Sequence, residues 1–217
     1  TSLFEKYRPA SFGEVIGQDK AIKMLRRLQN AGGFGGRAYW IAASSGTGKT
    51  TIARLIAADL AESWHIEEVD AQDCNLDFVR QMEVSFAYRG MGAKVGKAWI
   101  INEAHCLRGA VLSRFLTCLE SLPSHCAVIF TTTKSGQESL FAEMDDATPL
   151  LSRCLKVPMN ARGLAEPFAK WLHDVADKEG LNGKPLDWYV RVMKDERNNL
   201  RAGLSTIEAG AAIEDSK

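Results

Sequence analysis

Residues 43–50, Ala43-Ser44-Ser45-Gly46-Thr47-Gly48-Lys49-Thr50, constrain the fold more than any other part of the chain. They follow a short apolar run, Ala38-Tyr39-Trp40-Ile41-Ala42. They precede Thr50 to Ala61, which carries Ile52, Ala53, Leu55, Ile56 and Leu60 on one side. An apolar strand, a glycine turn and a helix, in that order, make a phosphate-binding loop. Glycines let backbone N–H groups converge on phosphate oxygens, and the helix N-terminus adds a favourable dipole. In this reading Ser45, Gly46, Thr47, Gly48, Lys49, Thr50 and Thr51 bind a nucleotide. Lys49 reaches the β- and γ-phosphates, and the Thr50 hydroxyl faces Mg²⁺. Ala43 replaces the first glycine of the usual spacing, a mild departure because Gly46, Gly48, Lys49 and Thr50 remain.

A second apolar run, Ala98-Trp99-Ile100-Ile101, ends in Asn102-Glu103-Ala104-His105. A strand ending in a polar pair is the form of an element that organises metal and water. The expected aspartate is Asn102, whose carbonyl can accept from a metal-bound water but brings no charge. That loss should weaken the organisation of Mg²⁺. Glu103 is the candidate base that orients and deprotonates the attacking water.

Around these motifs strands and helices alternate. Asp19 to Asn30, Leu76 to Phe86 and Gly109 to Leu122 have helical spacing, and Ile66–Val69 and Ala127–Phe130 are further strand candidates. Short apolar strands separated by helices imply a parallel sheet covered on both faces. Glu5 to Gln18 reads as extended or irregular, since Pro9 and Gly13 interrupt it. After Pro158 the pattern changes to three helical candidates, Leu164 to Lys178, Asp187 to Lys194 and Asn198 to Ala212. The expectation is an α/β nucleotide-binding domain over 1–158 and a small three-helix domain over 159–217.

Lys plus Arg and Asp plus Glu are 27 each, which excludes a strongly basic nucleic-acid protein but not a local basic patch. No apolar run approaches the roughly 20 residues that span a bilayer, so no membrane partner is expected. The five cysteines, Cys74, Cys106, Cys118, Cys126 and Cys154, form no C-x-x-C pair. They read as free, mostly buried thiols in a reducing compartment, cytoplasm, nucleoid or nucleus, without a zinc site.

Taken together, the chain resembles the AAA+ ATPase modules of sliding-clamp loaders, such as the replication factor C small subunits and the gamma/tau subunit of bacterial DNA polymerase III. The resemblance begins at Phe4-Glu5-Lys6-Tyr7-Arg8-Pro9 and continues through Val15-Ile16-Gly17-Gln18 and the phosphate loop. It includes Asn102-Glu103-Ala104-His105, Leu151-Ser152-Arg153-Cys154 and Asn199-Leu200-Arg201-Ala202-Gly203-Leu204. These motifs, in this order, are specific to such loaders.

The resemblance implies a P-loop NTPase AAA+ domain with a helical lid, and ATP with Mg²⁺ bound between them. Tyr7, Arg8 and Pro9 would line the adenine and ribose pocket, with Ile16 and Gly17 against the base. Thr133, with Thr132 as its near competitor, would be the polar sensor of the γ-phosphate. Arg153 would act in trans as an arginine finger on ATP held by a neighbouring AAA+ subunit, an effect worth roughly 10³–10⁵ in rate in comparable enzymes. Arg201 would reach the γ-phosphate from the lid. The implied partners are other AAA+ subunits, a sliding clamp and primer–template DNA, with Arg108 and Arg114 as candidate DNA contacts. Asn102 leaves open a catalytically weak ATP-binding scaffold. Another DNA-processing AAA+ motor, a helicase loader or a branch-migration motor, is a further alternative. Loaders of this kind also carry a collar domain, which these 217 residues are not expected to include. The 134–149 segment is longer than in relatives and holds the acidic run Glu143-Met144-Asp145-Asp146, expected to face protein or solvent rather than DNA.

Overall fold

The computed structural model describes residues 2–133 and 147–213. The acidic run at 143–146 therefore lies outside the described residues. The chain divides into two compact units. One, the sheet unit, comprises Lys20–Ala43 and Lys49–Met159. The other, the helical unit, comprises Thr1–Asp19, Ser44–Gly48 and Asn160–Lys217.

The sheet unit is built on five parallel strands. These are β1 (Arg37–Ala42), β2 (Ile66–Asp70), β3 (Lys97–Asn102), β4 (Cys126–Thr132) and β5 (Cys154–Lys156), in the order β2-β3-β4-β1-β5. β4 is central and buried at every position, which is why it reads in sequence as a continuous apolar run rather than an alternating one. Parallel neighbours need crossover connections, and helices supply them.

Helix α3 (Lys49–Leu60) buries Ile52, Ala53, Ile56 and Ala57 and packs on β1, β3 and β4. Trp40, Trp99, Ile101, Val128 and Phe130 form one core with α4 (Leu76–Ser85) and α5 (Gly109–Glu120), through Val79, Met82, Leu112, Phe115 and Cys118. Within it, Phe130 stacks edge-on to Phe115 at 5.5 Å and lies 6.0 Å from Trp40. Helix α2 (Asp19–Asn30) has the length its apolar spacing predicts, with Ala21, Ile22 and Leu25 buried. Sequence periodicity did not show the short helix α6 (Ala147–Ser152) or β5. Each is too short to display a period.

The helical unit gathers α7 (Ala165–Glu179), α8 (Leu186–Asp195) and α9 (Leu200–Glu208) around Phe168, Leu172, Tyr189, Met193, Leu204 and Ile207. Its amino-terminal segment differs from expectation. Leu3–Lys6 form a one-turn helix, α1, and the irregular stretch begins only after it. Leu3 is buried in the same core as Phe168, so tertiary packing overrides the weak local signal. All five cysteines are free thiols, four of them buried. Burial pushes the Cys118 and Cys154 thiols up to about 12, and those of Cys74 and Cys126 to about 11.

Candidate functional site

Parallel pairing brings the carboxyl ends of the strands to one edge of the sheet, where open α/β sheets place their ligands. Ala42 pairs with Thr132, and the Ala43 amide donates to the Thr132 carbonyl at 3.2 Å. Ile101 pairs with Phe130, which sets Asn102 level with Thr131. The Thr131 hydroxyl donates to Asn102 Oδ1 at 2.8 Å, and Asn102 Nδ2 donates to Glu68 Oε1 at 2.8 Å. Glu68 also accepts from Arg54 of α3, Nε to Oε2 at 2.7 Å and Nη2 to Oε1 at 3.2 Å. Glu68, Arg54 and Thr131 were not singled out from sequence. The detectable signal was Arg54 standing four residues after Thr50, one helical turn along the same face.

Glu103 follows Asn102 with φ 49° and ψ 44°, a left-handed conformation uncommon outside glycine. Holding a non-glycine residue there costs of order 1 kcal/mol, and such strain concentrates at functional sites. Its Oε2 lies 3.3 Å from His105 Nδ1, which is also 2.9 Å from Thr132 Oγ1. Of the threonines, Thr131 therefore faces Asn102 and Thr132 faces His105, while Thr133 stands just past the strand end. Lys49 is buried at 8% exposure, as is Thr51, and Thr50 is half-buried.

Arg153 stands elsewhere in the sheet unit, between α6 and β5. Its Nε donates to Glu120 at 3.2 Å and its Nη1 to the Pro149 carbonyl at 3.0 Å, and Nη2 also pairs with Glu120. It is thus tied to α5. Arg114 pairs with Glu83 and Arg108 with the His105 and Leu107 carbonyls, so both candidate DNA contacts have intrachain partners.

In the helical unit the glycine turn of residues 44–48 bends sharply. Gly46 has φ 70° and Gly48 φ 99°, conformations that suit glycine. The space where a Gly48 Cβ would sit is open, while a Cβ on Gly46 would collide with Asn199. The Thr47 hydroxyl donates to the Ser44 carbonyl at 2.7 Å and braces the turn. Asn199 caps α9 by accepting from the Ala202 amide at 3.2 Å, and the Leu200 amide donates to the Gly46 carbonyl at 3.1 Å. Ser45 is exposed and Thr47 buried.

Gln18, fully buried, stands in the Val15–Gln18 motif but was given no role of its own from sequence. Its Nε2 donates to the Thr47 carbonyl at 3.2 Å and the Asn160 carbonyl at 3.4 Å, and its Oε1 accepts from the Asn160 amide at 2.7 Å. A fully buried amide must be bonded, and this one joins the loop at Thr47 to the backbone of Asn160. Gly17, at φ 72°, packs so close to Leu164 that a Cβ would approach its Cδ2 to 2.7 Å. Ile16 packs against the same core as Phe168, and Pro9 lies half-buried in the irregular stretch.

Arg201 and Arg8 both lie over the Phe4 ring, at 4.3 and 4.4 Å from its centroid. Arg8 is also paired with Glu5. Tyr7 stacks edge-on to Trp171 at 6.1 Å and donates to Glu179. Hydrogen bonds from Lys6 and then Tyr7 hold the Glu179 carboxyl below its ordinary value, and Glu179 in turn raises both Lys6 and Tyr7.

Curated relatives cover almost the whole chain. DNA polymerase III subunit gamma/tau of Mycoplasma genitalium is 26% identical over 99% of this chain and 38% of its own length. The replication factor C large subunit of Methanocella arvoryzae is 27% identical over 95% of this chain and 36% of its own length. The replication factor C small subunit of Methanoregula boonei is 26% identical over 98% of this chain and 64% of its own. The chain thus spans little more than a third of the first two relatives.

Among solved structures, the Thermotoga maritima RuvB Holliday junction branch migration motor matches with TM-score 0.70 and 20% identity. That match covers 93% of this chain and 64% of the motor. A DNA polymerase III gamma subunit-related protein from the same organism matches with TM-score 0.52 and 14% identity, covering 89% of this chain and 59% of that one. No family model matches the sequence. The chain is thus similar to clamp-loader subunits over nearly every residue, and its five-stranded parallel sheet has the fold of the RuvB motor.

Proposed function

We propose that the chain binds ATP and acts as a nucleotide-driven switch of the clamp-loader kind in DNA replication. The observation that carries this reading is the glycine turn at Gly46 and Gly48 leading into α3, with Lys49 buried in its first turn. Backbone amides and one ammonium group are suited to a triphosphate.

The donors also fit magnesium. Thr50 offers a hydroxyl, and Asn102 Oδ1 has a second lone pair beyond the one engaged by Thr131. Among the described residues no group of three His, Cys, Asp or Glu could hold a metal, so the ion would be shared with phosphate oxygens. When bound, it would neutralise charge on the β- and γ-phosphates.

The chain's own residues take the remaining roles. Glu103, braced beside His105, orients and deprotonates the attacking water. A threonine at the end of β4, Thr133 by sequence position, senses the γ-phosphate. Arg201 contacts that phosphate from the start of α9. Tyr7, Arg8, Pro9, Ile16 and Gly17 belong to the base and ribose side. Arg153 serves a neighbouring subunit, exchanging its Glu120 partner for that subunit's nucleotide. ATP would favour an assembled oligomer that grips a sliding clamp and primer–template DNA, and hydrolysis would release it. Among the described residues no helix is long and apolar enough to cross a membrane. Buried free thiols suit a reducing compartment.

Calorimetry tests the first step. ATP with magnesium should bind with a measurable heat, and Lys49→Ala should weaken binding by about 100-fold or more. Absence of binding to well-folded protein at millimolar ATP would end the proposal. ATPase activity that appears on oligomerisation and disappears in Arg153→Ala would support the loader. A second reading, a scaffold that binds ATP and hydrolyses little, draws on the neutral side chain at Asn102. Steady-state turnover with clamp and DNA present separates the two.

A further inference from the structure

Asn102 is held between two partners of opposite demand. Glu68 is gripped by the Arg54 guanidinium through two nitrogens, the forked geometry of an arginine–carboxylate pair. An ionised carboxylate only accepts hydrogen bonds, so the atom of residue 102 that faces it must donate. Nδ2 does so at 2.8 Å, which leaves Oδ1 to accept from the buried Thr131 hydroxyl at 2.8 Å. An amide meets both demands. An aspartate would set a second carboxylate oxygen against Glu68 at the distance where a donor now stands. The strand register makes this close approach possible, because β2 and β3 pair in parallel with Asp70 opposite Asn102 and Glu68 opposite Ile100. Arg54 lies one turn along α3 from Thr50, so this ion pair borders the face that carries the Thr50 hydroxyl.

We infer that Glu68 is a positioning residue for this strand end. Its carboxylate, fixed by Arg54, selects an amide at position 102, orients that amide's carbonyl oxygen, and supplies from the neighbouring strand the negative charge that residue 102 lacks. The pairing stands on side-chain geometry alone, while the contribution of charge to magnesium rests on the nucleotide-binding reading above.

Two measurements on the whole chain test it. The first is a thermal-melt cycle of wild type, Asn102→Asp, Glu68→Gln and the double variant, without nucleotide. Asn102→Asp should lower Tm by about 3–6 °C. Adding Glu68→Gln should recover part of that loss, because the glutamine amide can donate to the new carboxylate. An Asn102→Asp protein that melts at or above wild type, or a double variant that melts at or below Asn102→Asp, overturns the pairing. The second is fluorescence titration with a methylanthraniloyl-ATP probe, with magnesium and with EDTA. Glu68→Gln should weaken binding about tenfold or more with magnesium and leave binding in EDTA unchanged. Equal loss in both conditions, or none in either, overturns the charge contribution. If the wild-type chain takes up no probe at all, the nucleotide-binding reading falls instead, and the melt cycle still decides the pairing.

Discussion

In the sheet unit the polar groups stand at the ends of paired strands, and backbone register decides which of them meet. In the helical unit they stand on segments about 140 to 200 residues apart in sequence, and individual side chains hold them together. Thr131 meets Asn102 because β3 and β4 pair Ile101 with Phe130. Gln18 meets Asn160, and Phe4 meets Arg201, with no ladder to bring them there. The first arrangement inherits its precision from a large apolar core. The second depends on a few specific contacts, and each should be felt separately when removed.

The contrast can be broken first at the core. Phe130→Ala removes a fully buried ring that touches Phe115 and Trp40, and should cost about 3–5 kcal/mol. A chain of this size should then melt about 6–20 °C lower, as read by circular dichroism. A loss under about 1 kcal/mol would mean that the sheet core collapses around the gap and does not fix the strand ends.

Gln18→Ala should cost about 1–3 kcal/mol, because it leaves the Thr47 carbonyl and the Asn160 amide without the bonds Gln18 now makes. Hydrogen exchange should rise at residues 44–48 and 160 and stay unchanged at β3 and β4. A uniform rise across both units would erase the distinction between them.

Phe4→Ala should cost less, about 0.5–1 kcal/mol for a cation–ring contact at a partly exposed position. Its clearer signature is motional. Arg201 side-chain relaxation in nuclear magnetic resonance should report a looser guanidinium, whereas a Phe4→Leu variant of similar bulk should loosen it equally if the ring face matters.

The smallest effect is that of pH. Glu179 is held below its ordinary value of 4.5 by Lys6 and then Tyr7. The stabilisation it brings is therefore fully present above that value and lost as pH falls through its folded value. Lys6 and Tyr7 are raised by Glu179, so their share is present below 10.5 and 10.0 and lost as pH rises through their folded values. Lys6 is exposed and Tyr7 and Glu179 are only partly buried, so solvent screening keeps the effect small. The Trp171 indole resonance, close to Tyr7, should shift as acid protonates Glu179. A resonance that stays fixed down to the point of global unfolding would show that this contact does not order the segment.

Much of the architecture was legible in the chain alone. The apolar runs of β1, β3 and β4 are continuous because parallel strands covered on both faces bury both sides. The helices α2, α3, α4 and α5 declare themselves by period. The glycine turn before α3 is local as well, since glycine φ, a lysine and a helix start are set within eight residues. Glu68 was hidden for the opposite reason. It lies 34 residues from Asn102, and nothing in Ile66–Asp70 marks one of its acidic side chains as different from the others. The bonding role of Gln18 was hidden too, although its motif was visible, because a glutamine shows no sign of burial until its partner across 142 residues is known.

The sequence by itself determined the longer strands and helices and where the glycine turn between β1 and α3 falls. These follow from periodicity and from conformational freedom, which act between near neighbours in the chain. Only the tertiary structure decided that Asn102 has a carboxylate to donate to, that Arg153 rests on Glu120, and that Leu3–Lys6 coil into the helical core. Such pairings depend on distances of a few ångströms between residues far apart in sequence, and those distances exist only once the register and the packing have been set.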